Sequence, residues 1–216
     1  MEKFRFATRL NLSESLGLKA VTIEQMLEHL RHVPGSCIYH HTHRYLQQHE
    51  YLSPEPPNDF AYWVAGVLGE DELGEKLASI DIMQFKSIRE LREKIISVIE
   101  YYIEKYPQSK LRFARPGREF HFIKSISFII PTEYAVSTLE EFADALEKID
   151  INSIYFHMFE ARLRLENKSN DFSNWIETRI GDRELAKQIS RLDPYTYALD
   201  DLRKTIIKIV REKRES

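Results

Sequence analysis

The sequence predicts a mainly α protein built as a tandem duplication. Each half is a helical unit opened by a short extended segment, and the two halves pack with approximate twofold pseudo-symmetry. Three observations predict this. Residues Phe4 to Tyr39 lie over Phe120 to Tyr155 without a gap at a constant offset of 116 (120 − 4). The same helix starts and stops recur in both halves. Each half also ends in a helix whose apolar stripe needs a partner surface to bury it. On this reading residues 1–106 form the first unit, 107–116 the linker and 117–216 the second unit.

The elements follow in order. Phe4-x-Phe6 and Phe120-x-Phe122 alternate as short extended segments, and Ile123 to Ile130 is rich in β-branched and aromatic residues. Thr22-x-x-Gln25 and Thr138-x-x-Glu141 are capping boxes opening a first helix. Ser36 and Asn152 are suitable N-caps for a second. Asn58-Asp59 and Asn170-Asp171 open a third, which Gly69 or Gly181 stops. A short fourth helix ends before Asp81 or Asp193, where Asp193-Pro194 reads as a cap followed by a proline. Ser87-x-x-Glu90 opens the last helix of the first half, with Ile88, Leu91, Ile95, Ile99 and Tyr102 on one face. Leu199, Leu202, Ile206 and Val210 repeat that stripe. Tyr106-Pro107 and Arg115-Pro116-Gly117 punctuate the linker. Ser53-Pro54-Glu55-Pro56-Pro57 is a stiff insertion confined to the first half.

Composition narrows the function. The 216 residues carry a net charge of −3 with no basic excess, which argues against a nucleic-acid binder. No apolar run reaches the length of a membrane span, and Met1 to Phe6 lacks a signal-peptide core. The single cysteine, Cys37, forms no internal disulfide. These points predict a cytoplasmic protein without nucleic-acid or membrane partners.

The residues able to carry chemistry are those present in both halves. His41 and His157 are the only histidines at matching positions, and each falls on the apolar face of the second helix. That placement favours a buried, neutral imidazole bonded to a neighbour. The alternative is an acid–base pair with Asp59 or Asp171 in a cleft. Asn58 and Asn170 stand beside those aspartates, and one side chain of each pair suffices as a cap; the other is free to meet Arg92 or Arg203, or to face a cleft. Trp63 and Trp175, with Tyr39, Phe60, Tyr155 and Phe172, form a recurrent aromatic set. Core packing accounts for it better than a binding platform. The first half holds six of the eight histidines (His29, His32, His40, His41, His43 and His49), but no metal-ligand spacing accompanies them. No metal or cofactor is expected. Phosphate loops, nucleophile elbows and catalytic-thiol motifs are absent.

The assembled pattern resembles an uncharacterised bacterial and archaeal family, one of the domains of unknown function. Its Phe-x-Phe, Tyr-x-His, Asn-Asp-Phe-x-x-Trp and Leu-Arg elements are met by Phe4, Phe6, Tyr39, His41, Asn58, Asp59, Phe60, Trp63, Leu91 and Arg92. They are met again by Phe120, Phe122, Tyr155, His157, Asn170, Asp171, Phe172, Trp175, Leu202 and Arg203. The resemblance implies two tandem copies and supplies no activity. The expected function is a non-enzymatic interaction or regulatory module that binds a protein or a small ligand. The alternative is an enzyme using a His–Asp acid–base pair in one or both halves.

Overall fold

The computed structural model describes residues 3–45, 57–161, 169–192 and 199–215. The Ser53–Pro56 part of the insertion, His49 and the Asp193-Pro194 cap lie outside them. The architecture is α+β. A two-stranded antiparallel ribbon joins β1, Phe4–Ala20, to β2, Phe120–Val136. Helices α1 (Ile23–His32), α2 (Gly35–Tyr39), α3 (Asp59–Gly66), α4 (Asp71–Ala78) and α5 (Ile88–Lys105) lie between the strands in sequence. Helices α6 (Leu139–Lys148), α7 (Ile151–Tyr155), α8 (Asp171–Trp175), α9 (Arg183–Ser190) and α10 (Leu199–Glu215) follow β2.

This corrects the mainly α expectation. The sequence suggests two short extended segments; each is a strand of 17 residues. Both strands owe their length to pairing over a long sequence separation, which local propensity does not report. Leucines rather than β-branched residues alternate in β1, at Leu10 and Leu12 and again at Leu16 and Leu18.

The chain forms two compact units: Asn11–Ile126, and Met1–Leu10 together with Ser127–Ser216. The division falls inside β1 and β2 rather than at residues 107–116. In the unit Asn11–Ile126, Phe120 and Phe122 of β2 enter the core made by α1 to α5. The Phe120 ring stacks on Phe60 at 5.3 Å and meets Trp63 edge-on at 5.8 Å. The α5 stripe of Leu91, Ile95 and Ile99 is buried with Ile23, Met26 and Leu30 of α1. In the other unit, Phe4 and Phe6 of β1 meet the aromatic core of α6 to α8. Phe6 stacks on Phe142 at 5.6 Å, and Phe4 lies 5.5 Å from Trp175 and 5.6 Å from Phe172. Each Phe-x-Phe therefore fills the helical core encoded in the opposite half of the sequence. This is why the halves 1–106 and 117–216 are not two self-contained helical copies.

Local signals hold at most helix ends. Thr22 Oγ1 accepts from the Gln25 amide and Gln25 Oε1 from the Val21 amide, at 3.2 and 2.9 Å. Thr138 and Glu141 do the same at 3.2 and 2.7 Å. The second helices begin two residues earlier than N-caps at Ser36 and Asn152 suggest. Pro34 and Asp150 stand at their N-caps, and Asp150 Oδ1 accepts the Asn152 amide at 2.8 Å. Gly181 closes the helix begun at α8 with φ +84°, a left-handed conformation that side chains disfavour.

Candidate functional site

The two histidines sit where an α-helix turns into a π-helix. Five residues of π-helix follow α2 (His40–Arg44) and α7 (Phe156–Glu160). Such π turns are rare and are found frequently at functional sites. Every residue from Cys37 to His43 is buried, so this segment runs through the interior instead of lying on it.

His41 and His157 are 2 % and 4 % exposed. His41 Nδ1 is 2.6 Å from Asp59 Oδ2, and His157 Nδ1 is 2.7 Å from Asp171 Oδ2. The second nitrogen is also engaged: Ile123 N–H donates to His41 Nε2 at 3.0 Å, and Ala7 N–H to His157 Nε2 at 2.8 Å. A backbone N–H only donates, so each Nε2 carries a lone pair and each Nδ1 carries the proton given to aspartate. The imidazoles are neutral, fixed in one tautomer, and spend both nitrogens on the fold. The partner peptide is gripped from a second side. Ser153 Oγ donates to the Ala7 carbonyl at 2.7 Å, and Cys37, at the position matching Ser153, engages the Ile123 backbone. Burial pushes the Cys37 thiol up to about 12, which leaves it without thiolate character.

The other expected residues complete this frame. Asn58 is the cap of α3: its Oδ1 accepts the Ala61 amide at 2.9 Å while its Nδ2 donates to the Leu77 carbonyl at 3.0 Å. Asn170 repeats the pattern on Ser173 at 2.8 Å and Ile189 at 3.4 Å. The asparagines thus take the caps, which frees the aspartates for the histidines. Arg92 and Arg203 do not meet Asp59 or Asp171. Arg92 donates to the Val33 carbonyl at 2.6 Å, and Arg203 lies 3.9 Å from Asp200. Trp63 is 4 % exposed and donates to the Arg118 carbonyl at 2.7 Å. Trp175 is 6 % exposed and packs on Phe4 and Phe142; its Nε1 has no hydrogen-bond partner among the described residues. Both tryptophans are core residues, each on the helix that opens with the aspartate of a histidine–aspartate pair.

The remaining histidines of the first half are dispersed. His29 Nε2 meets the Lys19 carbonyl at 3.0 Å and His32 Nδ1 the Glu28 carbonyl at 2.9 Å. His40 Nδ1 meets Ser125 Oγ at 3.1 Å, and the His43 ring stacks on Tyr39 with centroids 5.6 Å apart. Burial holds both His40 and His43 down to about 4, with His41 and Arg44 adding to the effect at His40. Among the described residues, no three His, Cys, Asp or Glu side chains converge as metal ligands. Sequence reasoning missed Ser125, Ser153 and the strand amides of Ala7 and Ile123. Their partners are far away in sequence, and backbone groups leave no trace in residue identity.

Comparison with known proteins agrees with a single architecture. A family model described as a family of unknown function (DUF5752) matches residues 1–211. The structure of OrfY from Thermoproteus tenax is similar at 27 % identity and a TM-score of 0.80, covering 99 % of this chain and 96 % of that one. No curated protein matches the chain. Both matches run through the chain as one unit, which corrects the expectation of two tandem family copies and of an internally repeated, all-α protein. No helix among the described residues is long and apolar enough to cross a membrane.

Proposed function

The chain belongs to the DUF5752 family of unknown function, and on the strength of its own surface we propose that it is a non-enzymatic interaction module that docks a partner polypeptide on its ribbon. One observation carries the reading. Phe128, Ile129 and Ile130 are consecutive in β2 and 49 %, 54 % and 44 % exposed, with Leu10 of β1 exposed beside them in the same unit. Three consecutive exposed residues mean that both faces of the strand are open here. Among the described residues the sheet has two strands, so each strand has one edge without a strand neighbour. An open edge carrying apolar side chains on both faces is suited to an added extended strand. Main-chain hydrogen bonds supply affinity there, and alternate side chains supply selectivity. Pro131, next in sequence, lacks an amide and limits such pairing on one side. The saturated histidine–aspartate pairs favour this reading over acid–base catalysis, since neither imidazole has a nitrogen left to move a proton.

We place this module in the cytoplasm, on the support of its single, buried and unpaired Cys37. The test is a photo-reactive amino acid at position 128, irradiated in cells. The expected result is a discrete cross-linked polypeptide, identified by mass spectrometry and lost when Ile129→Pro removes the adjoining amide. Recovery of the chain without any cross-linked polypeptide overturns the proposal.

A further inference from the structure

In the unit Met1–Leu10 with Ser127–Ser216, an ion pair between a buried carboxylate and a partly buried guanidinium links the π-helical turn to β1. Glu160 is 3 % exposed, Arg9 Nη1 lies 2.7 Å from its Oε2, and the Arg9 guanidinium carbon is 6.0 Å from the Phe156 ring centre. The residues at the offset of 116 lie in the unit Asn11–Ile126, and their chemistry is different. Arg44 corresponds to Glu160, Ser125 to Arg9, and His40 to Phe156. Where one unit holds a balanced pair of charges, the other holds a cation, a hydroxyl and a neutral imidazole.

His40 and Ser125 meet at 3.1 Å, and Arg44 is within electrostatic reach of His40. Among the described residues the partly buried Arg44 makes one hydrogen bond, from Nη2 to the Asn11 carbonyl at 3.3 Å, and its Nε is shielded from solvent without a partner. Among the described residues it meets no carboxylate. Two acids on neighbouring elements are already engaged, Asp59 with His41 and Glu14 with Lys124 at 3.1 Å. A guanidinium drawn from water without a counter-charge carries a desolvation cost that an oxyanion relieves, and its planar fork fits two oxygens of one anionic group.

We infer that Arg44, with Ser125 and His40 beside it, binds an anionic oxygen group of a small ligand, either a phosphate or a carboxylate. Arg44 supplies the charge, and the Ser125 hydroxyl supplies a further donor on the ribbon side. This site stands on a different observation from the ribbon edge and does not depend on it.

Thermal melts of the full chain test it, with inorganic phosphate or malonate titrated against sodium chloride at matched ionic strength and pH 7. An anion that binds the folded state raises Tm in a saturable way. The expected result is a rise of a few degrees that is absent in Arg44→Gln. Phosphate alone raising Tm assigns the site to phosphate, and malonate alone assigns it to carboxylate. The double variant Arg44→Glu with Ser125→Arg writes the Arg9–Glu160 pair into this position. It is expected to melt cooperatively, near the parent, and to ignore both anions. No rise with either anion in the parent, or an undiminished rise in the double variant, overturns the inference.

Discussion

His157 Nε2 accepts the amide hydrogen of Ala7 at 2.8 Å, across 150 residues of sequence, while its Nδ1 holds Asp171 at 2.7 Å. One side chain thus ties an interior π-helical turn to a strand on one side and to the first turn of α8 on the other. His41 does the same for Ile123 and Asp59. Removing either ring leaves a strand amide without its acceptor and a partly buried carboxylate without its donor, and empties a buried site. His157→Ala and His41→Ala are therefore expected to cost about 2–4 kcal/mol each. His121→Ala, at an exposed strand position, should cost less than about 0.5 kcal/mol. Urea unfolding of the three variants checks this; equal midpoints for His157→Ala and the parent would refute the clamp.

Asn58 makes a sharper case, because asparagine and aspartate are about equally good N-caps on exposed helices. Here the side chain is 5 % exposed and uses both ends of its amide, accepting from Ala61 and donating to the Leu77 carbonyl. Aspartate keeps the cap and turns the donor into a second anionic oxygen facing that carbonyl. Asn58→Asp is expected to destabilise by about 2 kcal/mol or more. A change below about 0.5 kcal/mol would mean that the Leu77 bond carries no weight.

Much of this frame is legible from one sequence. The spacing of Ile38, His41 and Tyr45 is enough to turn His41 inward, and Thr22-x-x-Gln25 is enough to start α1. The ribbon is not, because β1 after Phe6 carries leucines and polar residues with weak strand preference, and only pairing with β2 extends it. The roles within Asn-Asp are only half legible. A cap is expected, but assigning it to asparagine requires knowing that histidine claims the aspartate. Pairing each Phe-x-Phe with the helices of the other half lies beyond any local signal. The matching halves are equally consistent with each copy keeping its own strand.

Stability should depend on pH through His40 and His43. Burial holds both down to about 4, whereas an unfolded imidazole titrates near 6.5. Between those values the unfolded chain takes up protons that the folded chain refuses, so acid favours unfolding. The contribution is intact above about pH 6.5 and is lost progressively as pH falls to about 4. A loss on the order of a few kcal/mol is expected over that window. His43→Gln should flatten the slope of unfolding free energy against pH. Denaturant titrations at several pH values decide it; a parent whose stability does not change between pH 7 and 5 would contradict the burial argument.

The contact between α3 and α4 inverts an ordinary rule. A glycine inside a helix normally gives about 1 kcal/mol when replaced by alanine. Gly74 lies inside α4 and is buried, and a Cβ built there falls 2.7 Å from the Ala65 Cβ, with the Ala61 carbonyl oxygen and the Ala65 Cα at 3.4 Å. Atoms of two backbones cannot yield as the end of a long side chain would. Gly74→Ala is therefore expected to destabilise by about 1–3 kcal/mol, since the overlap outweighs the gain in helix propensity. The cause is separable from a general intolerance at the site. Ala65→Gly alone should cost about 1 kcal/mol through propensity. Combined with Gly74→Ala it removes the 2.7 Å contact, and the pair should be more stable than the sum of the single losses by at least about 1 kcal/mol. Strict additivity in that double-mutant cycle would show that the two methyl groups never compete for the same space.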